Sequence, residues 1–190
     1  DTIYHEHYSY LSLTAIERIF RASGLAIVDV EHLPTHGGSI RVFAQRAAGR
    51  AKPRAAVEAM LTTERQEGVN SVAFYAGFQS RAEAAKDALL AFLSEQRKSA
   101  RKVGAYGAAA KGNTLLNFAG VYSELLPYVA DRSPAKQGKY LPGSRIPIVD
   151  EKHLISDRPD WVLILPWNLR FEIEKQLAAI REWGGGFVQA

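Results

Sequence analysis

The chain has 190 residues and a mass of 21.0 kDa, the size of one large domain or of one and a half small ones. With 47% hydrophobic and 23% charged residues it is not disordered, and no apolar run reaches the roughly 20 residues of a membrane-spanning helix. The absence of cysteine excludes disulfides, cysteine nucleophiles and thiolate metal sites. No signal peptide is visible, and the first residues resemble the middle of a domain, so we expect a piece of a longer protein.

The net charge of +4 is unevenly distributed, and the distribution bears on the kind of ligand. Residues 103–148 carry five basic and two acidic side chains, which suits a phosphate-bearing small molecule. Residues 47–102 alternate in charge sign at helical spacing, which favours a solvated helix face. Because the sequence has neither a dense basic stripe nor a recognisable nucleic-acid module, we expect no nucleic-acid partner. Because no apolar run is long enough to span a membrane, we also expect no membrane partner.

The first 46 residues predict a helix followed by an antiparallel hairpin. Apolar residues recur at helical spacing from Leu13 to Phe20, and Gly24 ends that pattern. Two strand patterns follow at 25–30 and 39–44, joined by a long loop.

Residues 47–102 predict a helical connector. Pro53 begins one helical pattern, and a longer pattern extends from about Val72 to Lys98. The basic residues at its end lie where the helix dipole favours cations.

From residue 103 onwards, short apolar strands alternate with helices. Strands are predicted at 103–107, 126–131, 145–149, 161–165 and from 186, and helices at 114–121 and 171–183. This alternation predicts a parallel, doubly wound sheet of about five strands, which binds ligands at the carboxyl ends of the strands. The expected fold class is therefore α/β, with a Rossmann-like domain at 103–190 that follows the helix, the hairpin and the connector.

The sequence Gly107-Ala108-Ala109-Ala110-Lys111-Gly112-Asn113 occupies the first strand-to-helix turn of this sheet. Such turns hold phosphates on backbone N–H groups at a helix start, and Lys111 adds a cation that a diphosphate would use. Ala109 replaces the glycine that lets a dinucleotide approach, which disfavours NAD, although Asp131 stands where a ribose-binding acid is expected. The alternative is a structural turn with a solvated Lys111.

The segment Tyr4-His5-Glu6-His7-Tyr8 concentrates two imidazoles, a carboxylate and two phenols. A histidine is a suitable general base for removing a proton from carbon next to a carbonyl, and a neighbouring carboxylate would orient it. Two alternatives stay open, a zinc site with too few evident ligands and an ordinary polar turn. His36-Gly37-Gly38, in the hairpin loop, is a further candidate because two glycines allow a ligand to approach closely.

Several distinctive motifs occur together in this chain. They are residues 1–12, Thr35-His36-Gly37-Gly38-Ser39-Ile40-Arg41, residues 104–117, Asp131-Arg132-Ser133-Pro134, Lys139-Tyr140-Leu141-Pro142-Gly143 and Leu165-Pro166-Trp167-Asn168. In this order they resemble the C-terminal part of the nucleotide-sugar C-methyltransferases, which add a branch methyl to deoxysugars in bacterial glycan and antibiotic pathways. The resemblance covers essentially all 190 residues.

The resemblance implies a reaction and a role for the first motif. The family has an N-terminal zinc-binding domain, a central S-adenosylmethionine-binding domain and a C-terminal Rossmann-like domain. Tyr4, Glu6 and His7 match its Tyr-x-Glu-His motif, in which the histidine, helped by the glutamate, removes the C-3 proton of a 4-keto sugar. The enolate carbon then attacks the methyl group of S-adenosylmethionine, and Tyr4 would assist the enolate oxygen.

The resemblance also implies how the chain is divided. Residues 1–46 would be the end of the methyltransferase domain, 47–102 the connector and 103–190 the Rossmann-like domain. The chain lacks an S-adenosylmethionine loop and zinc-ligating cysteines, so both groups would be bound by missing upstream domains and the fragment should be inactive. We expect a cytoplasmic protein whose partner is a nucleotide-diphosphate sugar. The expected substrate-binding residues are His36, Gly37, Gly38, Tyr106, Gly107, Lys111, Gly112 and Asn113.

Two other functions stay open. A non-catalytic nucleotide-sugar binding module would keep the phosphate loop and make the Tyr-His-Glu-His cluster incidental. An NAD-dependent oxidoreductase domain fits the sheet and Asp131, but it does not fit Ala109.

Overall fold

A computed structural model describes residues 7–35 and 38–189 of the chain. The chain divides into two compact units, Asp1–Ser80 and Arg81–Ala190. The three-part division with boundaries at 46 and 102 stays a prediction. Among the described residues, no helix combines the length and the apolar character needed to cross a membrane.

The first unit contains the predicted helix and antiparallel hairpin, followed by further helices. In chain order its elements are α1 (Leu13–Ala22), β1 (Leu25–Leu33), β2 (Ser39–Arg46), α2 (Ala55–Glu67) and α3 (Val72–Tyr75). Its core is formed by buried side chains from α1, β1 and α2, namely Leu13, Ile27, Val30 and Val57. The hairpin is therefore covered by two helices that bury its apolar side chains.

Glu64 of α2 holds the start of α1. Its carboxylate accepts hydrogen bonds from the Leu13 N–H (2.7 Å), the Thr14 N–H (2.7 Å) and the Thr14 hydroxyl (2.6 Å). The first N–H groups of a helix have no partner within that helix. Glu64 satisfies two of them from another element, while the Ser12 hydroxyl accepts from the Ala15 N–H (3.2 Å).

The second unit is built around a five-stranded sheet in which all neighbouring strands are parallel. Its elements follow α4 (Phe78–Lys98) as β3 (Val103–Tyr106), α5 (Ala110–Ala119), β4 (Val129–Ala130), β5 (Ile148–Val149), α6 (Glu151–Asp157), β6 (Trp161–Ile164), α7 (Arg170–Gln176) and β7 (Gly186–Gln189). The strand order is β5-β4-β3-β6-β7. This confirms the predicted α/β fold with a doubly wound parallel sheet.

The side chains of the sheet enter two separate cores, as expected for strands that are buried on both faces. Leu163 of β6 belongs to one core, together with Leu93 of α4 and Leu116 of α5. Its strand neighbour Ile164 belongs to the other core, together with Leu154 of α6. The helices on both faces therefore fix the position of the strand ends.

Two predicted helices differ from the structure. The helix expected from Val72 to Lys98 is divided into α3 and α4 by a turn at residues 76–77, where glycine has a low helix propensity. The helix expected over 171–183 is α7 followed by a separate 3-10 helix, Ala178–Trp183.

The remaining differences concern α5, α6 and the strands before them. α5 begins at Ala110 rather than Thr114, and α6 was not predicted. β4 and β5 contain only two residues each because Pro127 and Pro147, which precede them, lack the N–H group that a strand ladder needs.

We predict that Glu64→Gln destabilises the first unit. The amide keeps the size of the side chain but turns one acceptor into a donor, which leaves a helix N–H without its partner. Urea unfolding should show a loss of about 1–2 kcal/mol. The matched control is Glu67→Gln, an exposed position on the same helix, and equal effects of the two substitutions would contradict the role of Glu64.

Candidate functional site

The carboxyl ends of β3 and β6 lie side by side where the order of the strands reverses. From β3 the chain continues through β4 to β5 on one side of the sheet, and β6 and β7 lie on the other. In open parallel sheets, ligands bind in the crevice at such a point. Two segments border it, the glycine–lysine loop (residues 107–112) after β3 and the Leu-Pro-Trp segment (residues 165–167) after β6.

The two segments approach each other more closely than side chains would allow. Gly107 has a φ of +89°, and a Cβ atom there would lie 2.5 Å from Cδ of Pro166. A Cβ atom on Gly112 would lie 2.5 Å from Cβ of Leu165. Both glycines therefore allow the backbone of the loop to lie against Pro166 and Leu165, which agrees with their predicted position in a tight strand-to-helix turn.

Lys111 extends from the loop to the same segment. Its Nζ lies 4.6 Å from the centroid of the Trp167 ring, within the range of a cation–π contact. Partial burial lowers the pKa of the Lys111 ammonium group below its ordinary value. The loop thus carries a positive charge that is held at the crevice and is less hydrated than a surface lysine.

The start of α5, just after the turn, has no side-chain cap. Its N-cap residue is Ala109, whose side chain cannot accept a hydrogen bond, whereas the side chains of Ser12 and Asp150 cap α1 and α6. The N–H groups and the dipole at a helix start favour an anion. An oxygen-rich anion such as phosphate would supply the acceptors that Ala109 does not.

Asp131, which directly follows β4, binds the glycine–lysine loop. Its carboxylate accepts hydrogen bonds from the N–H groups of Ala108 (2.7 Å) and Ser133 (2.8 Å) and from Nζ of Lys136 (3.2 Å). Because three of the roughly four acceptor positions of this carboxylate are occupied, Asp131 has little capacity left for the two hydroxyl groups of a ribose. This weighs against the NAD-dependent alternative.

Tyr106 lies on the core side of the site. It is buried, and its hydroxyl donates to Oε1 of Glu151 (2.6 Å) and accepts from Nε2 of Gln176 (2.6 Å). Burial and the neighbouring Glu151 carboxylate raise the pKa of Tyr106 well above its ordinary value. Asn113 is part of α5 and donates its N–H to the Ala109 carbonyl (3.0 Å).

Three of these contacts were not found by sequence reasoning. Glu151 is the first residue of α6 and lies two positions after the end of β5, and Trp167 lies shortly after β6. Both therefore occupy positions after strand ends that a search of every strand would have included. Gln176 lies within α7 and had no such signal.

The Tyr-His-Glu-His cluster and the hairpin loop belong to the first unit. His7 is exposed, and its ring packs edge-on against Tyr10 with centroids 5.7 Å apart. Gly38 has a φ of +114° and donates its N–H to the Thr35 carbonyl (3.1 Å). The other predicted members, Tyr4, Glu6, His36 and Gly37, lie outside the described residues. The residues that are described contain no cluster of three His, Asp or Glu side chains able to hold a metal ion.

A separate cavity of about 460 Å³ lies at the opposite edge of the sheet, where β3 and β4 begin. Its wall includes Tyr128, whose hydroxyl donates to Asp157 (3.0 Å), and Lys102, whose Nζ also donates to Asp157 (2.7 Å). Burial alone would raise the pKa of Asp157, but these hydrogen bonds lower it. The cavity shares no residue with the glycine–lysine loop and lies at the strand ends where such sheets do not bind ligands.

Two comparisons with known proteins indicate the same family. A family model described as the C-methyltransferase C-terminal domain matches residues 34–190, which include the glycine–lysine loop but not His7. The chain is similar to the C-methyltransferase NovU of Streptomyces niveus, with 38% identity over 188 residues. The similarity covers 99% of this chain and 45% of that relative, so the chain spans less than half of the relative's length.

We predict that Gly112→Ala destabilises the second unit. Alanine gains about 1 kcal/mol of helix propensity, but its methyl group overlaps Leu165, and overpacking of this kind costs about 1–3 kcal/mol. Thermal unfolding should therefore show a net loss of stability. Thr114→Ala in the same helix is the control and should stay within about 0.5 kcal/mol of the wild type. A stabilised Gly112→Ala variant would refute the close approach of the two segments.

Proposed function

Because the chain belongs to the family of C-methyltransferase C-terminal domains, we propose that it is the substrate-side part of a sugar C-methyltransferase. The substrate class is a nucleotide-linked keto-deoxysugar, and the methyl donor is S-adenosylmethionine. The observation that carries this proposal is the uncapped start of α5 beside Lys111, in the crevice between β3 and β6.

The diphosphate of the substrate is the group that fits this crevice. The first N–H groups of α5 supply donors for its oxygens, and the Lys111 ammonium group supplies the opposite charge. The glycines at 107 and 112 let the loop pack against the side chains of Pro166 and Leu165, which sets the shape of the loop. These features support a binding role for Lys111 and a role of Gly107 and Gly112 in shaping the site.

The proposed chemistry takes place at the sugar. His7, oriented by Glu6, removes the proton from the carbon next to the ketone, and Tyr4 donates a hydrogen bond to the oxygen that gains the charge. His36, Gly37 and Gly38 would contact the sugar. The described residues contain no glycine-rich loop for a methyl donor, so S-adenosylmethionine, which supplies the methyl group, would be bound by residues outside this chain.

Three further parts of the proposal concern the rest of the protein. The chain alone is expected to be inactive, and a zinc-binding domain is expected upstream. A bacterial source is supported by the Streptomyces relative. We further propose that the enzyme is cytoplasmic and that its partner is a nucleotide-diphosphate sugar, with no nucleic-acid or membrane partner.

A binding module without chemistry is the second candidate function. It is favoured by one observation, that the features suited to a diphosphate all belong to residues 81–190, whereas His7 belongs to the first unit. The two candidates differ in what they require of His7.

We predict that His7→Ala in the full-length protein lowers methyl transfer at least about a hundredfold, the scale of a lost general base. Transfer of a labelled methyl group from S-adenosylmethionine to the sugar measures it. The control is His32→Ala, an exposed histidine on β1, which should keep the rate. An unchanged rate for His7→Ala would remove the catalytic role and leave the binding module.

We also predict that affinity for a nucleoside diphosphate falls at alkaline pH. The ammonium form of Lys111 attracts the diphosphate, and this attraction is lost as the pH rises through the lysine pKa. Burial lowers that pKa from its usual 10.5, so the loss begins at a lower pH than for a surface lysine. Calorimetry across this range should show the loss beginning at a lower pH for the wild type and for the control Lys98→Arg than for Lys111→Arg. A pH profile that Lys111→Arg leaves unchanged would contradict this role.

A further inference from the structure

The loop that follows β4 holds the backbone of the glycine–lysine loop by two side-chain hydrogen bonds. Asp131 accepts a hydrogen bond from the N–H of Ala108 (2.7 Å), and Nζ of Lys136 donates to the carbonyl of the same residue (2.9 Å). Both hydrogen-bonding groups of one backbone residue are thus held by side chains. These two contacts set the orientation of the peptide units on either side of Ala108.

Asp131 is itself held in place by further hydrogen bonds. Asp131 is only 8% exposed, and besides Ala108 it is held by the Ser133 N–H (2.8 Å) and by Nε2 of Gln137, which donates to the Asp131 carbonyl (2.9 Å). The turn that it holds is also tied to β4, because the Gly107 N–H donates to the Ala130 carbonyl (2.8 Å). Such a preorganised turn costs little further ordering when a ligand binds.

Lys136 has a donor left for a ligand. Its ammonium group carries three N–H donors, and two of them point to Ala108 and to Asp131 (3.2 Å). Within the part of the chain that the structure describes, no acceptor contacts the third. The Lys136 side chain is 45% exposed, so this donor is accessible at the loop.

We propose that Asp131 and Lys136 position the glycine–lysine loop and that Lys136 is a second phosphate-binding cation, which selects a diphosphate over a monophosphate. This inference rests on the proposed function of the crevice. Lys111 belongs to the first turn of α5 after β3, and Lys136 belongs to the connection between β4 and β5 and contacts the same loop, so each phosphate group of a diphosphate would have its own lysine.

The charge of Asp131 makes positioning distinguishable from plain electrostatics. A carboxylate beside an anion site repels the anion, so Asp131→Asn removes a repulsion and would by charge alone strengthen diphosphate binding. The same substitution replaces one carboxylate oxygen by an amide NH2 group, which is a donor. Because the N–H groups of Ala108 and Ser133 donate to different oxygens of Asp131, one of them then loses its acceptor. If Asp131 positions the loop, Asp131→Asn therefore weakens diphosphate binding, which is the opposite of the change expected from charge alone.

The test is calorimetric titration of the protein with uridine diphosphate and thymidine diphosphate, followed by the monophosphate and the nucleoside of whichever binds more tightly. Lys136→Met should weaken diphosphate binding about tenfold, the value of one charge-assisted hydrogen bond, and affect the nucleoside not at all. Its effect on the monophosphate should be smaller. Asp131→Asn should also weaken diphosphate binding about tenfold.

Two matched controls isolate the contacts. Lys139→Met removes an exposed lysine three residues further along the same loop, and Glu124→Gln removes an exposed carboxylate at the opposite edge of the sheet. Both should keep the wild-type affinity. Circular dichroism checks that each variant is folded, and if Asp131→Asn is not, Lys136→Met decides, because an exposed lysine is not needed for the core.

The titrations separate a failure of the proposed function from a failure of this inference. If the wild type binds neither diphosphate, the proposed function of the crevice is wrong and this inference is wrong with it. If the wild type binds but Lys136→Met binds equally well, or weakens monophosphate and diphosphate alike, the second phosphate contact is refuted while the proposed function stands. Tighter binding by Asp131→Asn would refute positioning.

Discussion

The approach of Gly107 to Pro166 and of Gly112 to Leu165 is the constraint on which the carboxyl edge of the sheet depends. A Cβ atom on either glycine would lie 2.5 Å from a side-chain atom of Pro166 or Leu165, so there is no volume for even a methyl group and the glycine backbone packs directly against these two side chains. The Lys111 ammonium group lies over the Trp167 ring of the neighbouring segment. Because Lys111 belongs to the first turn of α5, a wider crevice would separate its ammonium group from Trp167.

Polar groups at the same edge are satisfied before any ligand arrives. Asp131 has donors on both oxygens, and Tyr106 is bonded to both Glu151 and Gln176. Buried polar networks that are fully bonded hold one arrangement, because any other arrangement leaves a costly unpaired group. The start of α5 differs from this network, because the Ala109 side chain offers its N–H groups no cap.

Local signals in the sequence predict the fold well. The spacing of apolar residues predicts α1, the hairpin and the strand–helix alternation, because each depends on neighbours within a few residues. The division of residues 72–98 into two helices was missed because the long helical pattern outweighed a single glycine. The short strands β4 and β5 were overestimated, since their lengths depend on pairing across the sheet and on the prolines before them.

The candidate site was predictable only in part, for a related reason. Gly107 and Lys111 stand in one continuous strand-to-helix turn, so the sequence points to them directly. Lys136 and Trp167 contact residues of that turn that lie 28 or more positions away in the sequence, so no local pattern specifies these contacts. The side chain of Tyr106 points into the core, which depends on the pleat of β3 and not on the motif around it.

The hairpin has a consequence for handling the chain. β1 and β2 contain nine and eight residues, and no other strand among the described residues pairs with them, whereas the outer strands of the parallel sheet contain only two and four. Long edges with unused backbone donors and acceptors recruit strands from other molecules. At high concentration, intermolecular β-sheet should therefore grow from the hairpin, and aggregation-resistant variants are best sought along its two outer edges.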